Sequence, residues 1–303
     1  MDSEILELLS KQFDKANKSA EEILEMSVSE IREGIKEIGQ HPIDSTSKDL
    51  IDSYNNAEFM GKEIYYYDSV KSTNAIAKFL APSVSDGAVI ISKRQTRGKG
   101  RSSKKYESPE GGIWLSIILK PNIAPQKAPL LTLATAVAVT RALKKSGIDA
   151  QIKWPNDVLL KDKKVCGILT ESIAKFNELE NIIIGVGINS KIDVNQFPEE
   201  LIENSISLQD VTDNEISNEK GIGLFFEEFE KIYKQFVEDN LNEIFWEWRK
   251  YNHTIGRMVE ISQPLGKTIV GYAIGINKEG ALIIERTDGK LVKVFSGECR
   301  TLD

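Results

Sequence analysis

The first 40 residues show apolar positions at helical spacing. Two segments of Ser-x-x-Glu form, at 19–22 and 27–30, match a helix-capping box. After the second, apolar residues recur three or four positions apart, at Val28, Ile31, Ile35 and Ile38. Short helices joined by a tight turn are typical of a helix-turn-helix module. We therefore expect a winged-helix-like domain over residues 1–61, with the polar segment 41–56 as a wing or a linker.

From residue 62 the pattern changes to short apolar runs separated by helical segments. Strands are predicted at 63–67, 88–92, 113–119 and 181–187, and helices at 74–80 and 129–145. The runs 158–160 and 165–170 flank a polar turn at 161–164, which predicts a hairpin. A further helical apolar face is formed by Leu224, Phe225, Phe229, Ile232, Tyr233 and Phe236. The sequence predicts an α+β domain with a central mixed sheet over residues 62–254.

The last part of the chain is a series of short strands. Predicted strands at 259–262, 270–276, 281–285 and 292–295 are separated by Gly- and Asn-containing turns. Regular short strands of this kind favour a small β-barrel. We expect this third domain at residues 255–303.

Composition excludes several classes of protein. The net charge of −7 over 303 residues argues against a general affinity for nucleic acid. Two cysteines give no disulfide framework, and two histidines, His41 and His253, give neither a histidine zinc site nor a Ser-His-Asp triad. No apolar run approaches the ~20 residues of a membrane span, and the first residues lack a signal-peptide pattern. A cytoplasmic protein with no membrane partner is expected.

A basic, glycine-containing segment follows the predicted strand at 88–92. In QTRGKGR (95–101), Gly98 and Gly100 permit close approach of a ligand to the backbone, and Arg97, Lys99 and Arg101 add positive charge. Such a loop can bind an anion and close over a bound phosphate. The alternative is a solvated surface loop whose charges only maintain solubility.

Two further strand ends carry residues suited to nucleotide chemistry. In KWPND (153–157), Asp157 offers a carboxylate to Mg²⁺, and Asn156 can donate and accept hydrogen bonds to a base or ribose. A Pro-Asn-Asp turn without any ligand is the alternative. Lys164 either stays exposed or neutralises charge between a carboxylate and an α-phosphate, while Gly167 leaves room for a ligand beside its strand.

Small polar residues supply a third set of candidates. Ser72, Thr73 and Asn74 precede a predicted helix, where their hydroxyls either cap the helix or bind a small polar ligand. Asn189 follows a predicted apolar strand and is a second strand-end amide of open role.

Together these segments resemble the biotin–protein ligases, in particular the group with an N-terminal winged helix. The matching pieces, in chain order, are DSVKSTN (68–74), QTRGKGR (95–101), SP (108–109), GIWLS (112–116), KWPND (153–157), KKVCGIL (163–169) and GVGIN (185–189). The tail from 271 to 298 resembles the C-terminal domain of the family. The resemblance implies a winged helix-turn-helix, a class II synthetase-like catalytic domain with a mixed sheet, and a small SH3-like barrel.

The resemblance also implies a two-step reaction. Biotin and ATP give biotinyl-5′-AMP, with Mg²⁺ as the metal, and a lysine of a biotin carboxyl carrier protein then takes the biotinyl group. It implies that Ser72, Thr73, Asn74 and Gln95 bind biotin, and that Gly98, Lys99, Gly100 and Arg101 form the loop over biotin and the adenylate. Lys164 and Arg101 become the catalytic candidates. Gly167 leaves space for the ligand, Asn156 and Asn189 serve ATP, and Asp157 holds the metal.

Four positions depart from the family loop. Lys99 stands where the family often has Arg, Ser103 replaces a later Gly, Lys104 a later Arg, and Tyr106 a Trp. Lys keeps the charge without the bidentate fork, and Tyr keeps an aromatic face.

The same resemblance leaves two other functions open. One is a DNA-binding regulator with biotinyl-AMP as corepressor, against which residues 1–40 weigh because they carry five Lys or Arg and ten Asp or Glu. The other is a lipoate- or octanoate-transferring relative. A homodimer is a further family expectation.

Overall fold

The computed structural model describes residues 45–175, 178–212, 217–263 and 266–302. Within them the helices are α1 (Ser45–Tyr54), α2 (Thr73–Leu80), α3 (Leu130–Lys145), α4 (Glu199–Ile202), α5 (Asn218–Val237) and α6 (Leu241–Tyr251). The strands are β1 (Ile64–Val70), β2 (Val89–Gln95), β3 (Ile113–Leu119), β4 (Gln151–Lys153), β5 (Asp157–Leu160), β6 (Lys163–Lys175), β7 (Glu178–Ile188), β8 (Met258–Ser262), β9 (Thr268–Ile276), β10 (Leu282–Glu285), β11 (Leu291–Val294) and β12 (Glu298–Thr301). The predicted helix-turn-helix, at residues 1–40, lies outside the described residues.

A seven-stranded mixed sheet forms the centre of the larger domain. Its order is β1-β2-β3-β7-β6-β5-β4, in which β1 and β2 run parallel and the other neighbours run antiparallel. Every residue of β3 is buried, because this strand lies inside the sheet and is covered on both faces. This explains why β3 reads in the sequence as a continuous apolar run with one serine.

The two faces of the sheet are covered differently. On one face α3 and α5 pack together over the main core, which includes the fully buried Phe226 and Phe229. On the other face the short helix α2 packs against β2, β3 and β7 and buries Ile76 and Leu80 beside Ile183.

The segment predicted as a wing or linker is instead partly helical. Helix α1 packs against α5, and Ile51 on it is fully buried in the main core. The turn that follows is held by the buried carboxylate of Glu230 on α5, which accepts hydrogen bonds from the backbone N–H groups of Glu58, Phe59 and Met60 at 2.9–3.0 Å. Residues 45–61 are therefore packed on the body formed by the mixed sheet and its helices.

The C-terminal strands form a five-stranded antiparallel sheet of order β11-β10-β9-β8-β12. Four of its strands correspond to predicted ones, and β12 was not predicted. Trp154 joins this sheet to the larger domain, because its buried indole N–H donates to the carbonyl of Gly280 at 3.1 Å. No helix in the described ranges has the length and apolarity that a membrane span requires.

Candidate active site

The sequence-predicted site residues converge on the sheet face that carries α2. The end of β2 leads into the basic loop, the turn between β4 and β5 carries Asn156, Asp157 begins β5, and β6 begins at Lys163 beside Lys164. Asn189 follows β7. The antiparallel order of β5, β6 and β7 brings the start of β6 and the end of β7 to the same edge, so residues distant in sequence meet there.

A buried polar cluster joins the start of α2 to β2 and β3. Gln95 Oε1 accepts a hydrogen bond from the Thr73 N–H at 2.8 Å and lies 3.1 Å from the Thr73 hydroxyl oxygen. Ser116 Oγ lies 2.7 Å from Thr73 Oγ1 and 2.6 Å from Asn74 Oδ1. The structure thus brings Thr73, Asn74 and Gln95 together, as predicted, around Ser116, which was not among the candidates.

Ser72 takes the N-cap position of α2 without a side-chain capping bond. Its carbonyl accepts from the N–H groups of Ala75 and Ile76, which are the ordinary first hydrogen bonds of the helix. The side chain of Ser72 therefore does not perform the capping role that was the structural alternative for this hydroxyl.

The basic loop folds back on itself as a small hairpin. The Gly100 N–H donates to the Lys104 carbonyl at 2.7 Å, and the Tyr106 N–H donates to the Gly98 carbonyl at 2.9 Å. A Cβ on Gly98 would lie 2.4 Å from the Tyr106 carbonyl oxygen, so only glycine permits this approach. Lys99 on this hairpin is exposed.

Two cations fasten this loop to neighbouring elements. Arg101 Nη1 donates to Asn156 Oδ1 and to the Gly297 carbonyl, both at 3.1 Å. Lys104 forms an ion pair with Glu298, on β12 of the C-terminal sheet. Burial lowers the pKa of Arg101, while the charges of Asp157 and Glu298 act in the opposite direction. The loop therefore spans both domains, which the sequence did not indicate.

Lys164 and Asp157 face one another at the centre of the site. Lys164 Nζ lies 2.7 Å from Asp157 Oδ1, and both side chains are partly shielded from water. Both were predicted as site residues with separate ligands. In the structure, the two side chains form an ion pair with each other.

Tyr106 lies on a platform of two glycines. Gly167 on β6 and Gly187 on β7 are direct register partners, and a Cβ on either would come within 2.8 Å of the Tyr106 ring. The phenol donates to the Gly187 carbonyl at 2.9 Å, and Lys164 Nζ lies 5.4 Å from the ring centroid. Burial raises the pKa of Tyr106. Gly167, predicted to leave room for a ligand, leaves space beside its strand that the loop's own aromatic ring fills.

The two predicted amides have different surroundings. Asn156 accepts from Arg101 and donates to the Ile168 carbonyl at 3.0 Å, so its orientation is fixed at the mouth of the site. Asn189 is buried and donates to the carbonyls of Lys164 and Ile206 at 3.3 and 3.1 Å. Asn189 therefore holds the backbone behind Lys164.

Among the described residues, no group of three or more His, Cys, Asp or Glu side chains could hold a metal ion. Asp157 is the predicted metal ligand, and its Oδ1 is buried and makes no hydrogen bond of normal geometry. Lys164 Nζ lies 2.7 Å from this oxygen, so a metal could bind there only after the amine moves. A single carboxylate suits Mg²⁺, which is often bound by one or two carboxylates together with substrate phosphates. It does not fit a metal held by the protein alone.

Comparison with known proteins identifies the two domains. Residues 66–189 match the Biotin/lipoate A/B protein ligase family, and residues 254–300 match the Biotin protein ligase C terminal domain. Every predicted site residue lies within the first match.

Similar proteins extend the match over most of the chain. The bifunctional ligase/repressor BirA of Bacillus subtilis is 37% identical over 244 residues, which cover 80% of this chain and 74% of the relative. The protein of the same name from Escherichia coli is 31% identical, covering 76% and 71%. The structure of the Aquifex aeolicus biotin protein ligase in complex with biotin and ATP has a TM-score of 0.67 and 27% identity, covering 79% of this chain and 98% of that one. The chain belongs to the biotin–protein ligase family.

Proposed function

We propose that this protein joins biotin to a lysine of a biotin carboxyl carrier domain in two ATP-dependent steps. In the first, a carboxylate oxygen of biotin attacks the α-phosphorus of ATP, and the bond to pyrophosphate breaks. In the second, the lysine amine attacks the acyl carbon of biotinyl-5′-AMP, AMP leaves, and the amine loses a proton. Both steps bring anionic groups together, so fixed cations and exclusion of water favour them.

In this proposal the polar cluster binds the biotin ring system. Thr73, Asn74 and Gln95, with Ser72 beside them, supply hydrogen-bond donors and acceptors at one place on the sheet. Such a set suits the polar head of a ligand that has an apolar body. Gly98, Lys99, Gly100 and Arg101 cover the ligand, and the ring of Tyr106 leaves Gly167 and Gly187 when the ligand arrives.

Lys164 is the proposed catalytic cation. Its amine is paired with Asp157 in the structure. In the reaction the amine would leave Asp157 and contact the biotin carboxylate and the α-phosphate. That exchange frees the Asp157 oxygen. Asp157 would then hold Mg²⁺, which when bound supplies charge neutralisation on the phosphate oxygens. Asn156, already fixed by Arg101, is proposed to bind the nucleotide, and Asn189 supports the site from behind.

The observation that carries the proposal is the meeting of Lys164, Asp157, Asn156 and Arg101 beside the polar cluster, in a chain 37% identical to a named ligase. The test is incubation of the full chain with labelled biotin, ATP, Mg²⁺ and a carrier domain, omitting each in turn. We expect labelled adenylate without the carrier and labelled carrier with all four. Absence of adenylate under saturating biotin and ATP would refute the proposal.

Two alternative functions can each be detected by a separate assay, and the first is a lipoate ligase. The first family match includes lipoate ligases, but the C-terminal match is to biotin protein ligases, which favours biotin. Tight lipoate binding with no response to biotin would reverse that preference.

The second alternative is a DNA-binding regulator. The two BirA relatives are named ligase/repressor, whereas residues 1–40 of this chain carry a net charge of −5. Gel-shift measurements with biotin and ATP would detect ligand-dependent DNA binding, and sedimentation would detect a homodimer.

A further inference from the structure

Glu171 is an acidic residue on β6 that contacts the proposed biotin-binding cluster from outside. Its Oε2 accepts a hydrogen bond from Asn74 Nδ2 at 2.8 Å, and its Oε1 accepts from Lys78 Nζ at 2.6 Å. The amide of Asn74 lies over β7, where a Cβ on Gly185 would be only 2.3 Å from Asn74 Oδ1. Asn74 is therefore enclosed between Glu171, Gly185 and Ser116.

The hydrogen bonds of this cluster can run in only one direction. An ionised carboxylate only accepts, so the NH₂ group of Asn74 must face Glu171 and its oxygen must face Ser116. Ser116 has one hydrogen, which goes to Asn74 Oδ1 at 2.6 Å, so its oxygen can only accept from the Thr73 hydroxyl 2.7 Å away, and in that arrangement the Thr73 hydroxyl does not donate to Gln95. The orientation that Glu171 imposes on the Asn74 amide therefore determines which hydroxyl groups donate hydrogen bonds at Ser116 and Thr73.

Glu171 is ionised under ordinary conditions. Burial by itself would raise the pKa of Glu171, but hydrogen bonds from Lys78 and Asn74 and the charges of Lys78 and Lys99 outweigh it, so the pKa lies below its usual value. Lys99, on the basic loop, is thus one of the charges that act on Glu171.

We propose that Glu171 is a positioning residue for biotin: it holds the Asn74 amide in one of its two orientations and thereby sets the donor and acceptor pattern of the pocket. The inference rests on the proposed function and adds a residue to its binding site. Glu171 acts through Asn74, and the ligand need not touch it. Because Asn74, Thr73 and Ser116 are buried, water does not readily satisfy a group left without a partner after the amide flips.

Lys78 determines how an amide introduced at position 171 would be oriented, and this gives the proposal a specific test. In Glu171→Gln, the positive charge of Lys78 favours the amide oxygen over the amide NH₂, so the introduced amide turns its oxygen to Lys78 and its NH₂ to Asn74. Two NH₂ groups then oppose each other, and Asn74 relieves the conflict only by flipping, which reverses the pattern at Ser116. Removing Lys78 as well frees the oxygen of the introduced amide to face Asn74 again.

The experiment compares the full-length wild type with Glu171→Gln, Lys78→Met and the double variant, using biotin itself as the probe. Calorimetry gives the biotin affinity, steady-state adenylation gives KM for biotin and for ATP, and thermal melting reports folding. We expect Glu171→Gln to weaken biotin binding about tenfold or more, since it leaves buried polar groups without partners. KM for ATP should change little. Lys78→Met should remain close to wild type, and the double variant should recover most of the lost affinity.

Recovery in the double variant separates positioning from a merely structural role, because a generally weakened fold would not improve when a second ion-pair partner is lost. Unchanged biotin affinity in Glu171→Gln, or a double variant as weak as that single variant, would overturn the inference. A wild type that neither binds biotin nor forms the adenylate would overturn the proposed function and this inference together.

Discussion

Lys164 Nζ lies 2.7 Å from Asp157 Oδ1, across the hairpin formed by β5 and β6. Lys164 lies just beyond a register shift between Val158 and Leu159, and Asp157 begins β5. The pair holds a partly shielded amine in position beside the carboxylate. In the proposed reaction, the biotin carboxylate and the α-phosphate therefore meet an amine that is already oriented, and little reorganisation of bulk water is needed.

Replacing Lys164 by Ala should lower the rate of adenylate formation about 100-fold or more, if the amine supplies one charge-stabilising contact in the transition state. Pyrophosphate release is the measurement. Lys163→Ala is the matched control, because this neighbouring lysine on β6 is exposed and its loss should have no effect. A normal rate of pyrophosphate release in Lys164→Ala would contradict the proposed role.

Arg101→Ala should shorten the lifetime of the bound adenylate. The side chain links the basic loop to Asn156 and to the Gly297 carbonyl, so its loss frees the loop from both contacts. The release rate of labelled adenylate and the unselective labelling of bystander proteins are the measurements. The exposed Arg97 of the same loop provides a control of equal charge change. Equal adenylate lifetimes in Arg101→Ala and the wild type would show that the loop does not retain the intermediate.

Gly167→Ala should impair activity without unfolding the protein. A Cβ there would lie 2.8 Å from the Tyr106 ring and 2.9 Å from Lys164 Cε, so both side chains must move. We expect adenylation to fall about tenfold or more, because small displacements of a reacting group are costly. Gly275→Ala on β9 is the control, since nothing lies within 4 Å of its Cβ. Wild-type adenylation in Gly167→Ala would contradict the proposed crowding.

His253 should make stability decrease on acidification. It is buried, its Nε2 lies 2.7 Å from Asp162 Oδ1, and burial lowers its pKa, with Arg257 and Lys153 acting in the same direction and Asp162 opposing them. The unfolded chain therefore binds a proton more readily than the folded one. This contribution is constant above the unfolded pKa of about 6.5 and is lost progressively as the pH falls from there through the lower folded value.

Urea denaturation of the wild type and of His253→Gln at pH 7.5 and pH 5.5 measures this effect. We expect the free energy of unfolding to fall less between the two pH values in the variant than in the wild type. The same decrease in both proteins would assign the acid sensitivity to other groups.

Local sequence patterns predicted many of the helices and strands, and the rest of the fold depends on how strands distant in sequence pair. Strand Ile113–Leu119 was predicted with its observed bounds, because a fully buried strand is apolar along its length. Helix Leu241–Tyr251 was missed, since its buried Ile244, Phe245 and Trp248 stand among charged residues. Strand Glu298–Thr301 was also missed because three of its four residues are polar or charged.

The candidate site, too, was predicted only in part from local sequence patterns. Thr73, Asn74 and Gln95 were recognised from their motifs, but Ser116 and Glu171 join them only through the register of β3, β6 and β7. The ion pair between Lys164 and Asp157 likewise depends on an irregularity in strand pairing that no local pattern encodes. Residue types therefore indicated the chemistry, while tertiary pairing determined which side chains control one another.

The attachment of residues 45–61 to α5 determines where the protein can be shortened. A chain starting at residue 62, the predicted domain boundary, would expose the apolar surface that Ile51 covers on α5 and deprive Glu230 of three backbone donors. Deletion of residues 1–61 should therefore give a lower melting temperature than deletion of residues 1–44 alone. Truncations that test what residues 1–44 do need to end ahead of Ser45.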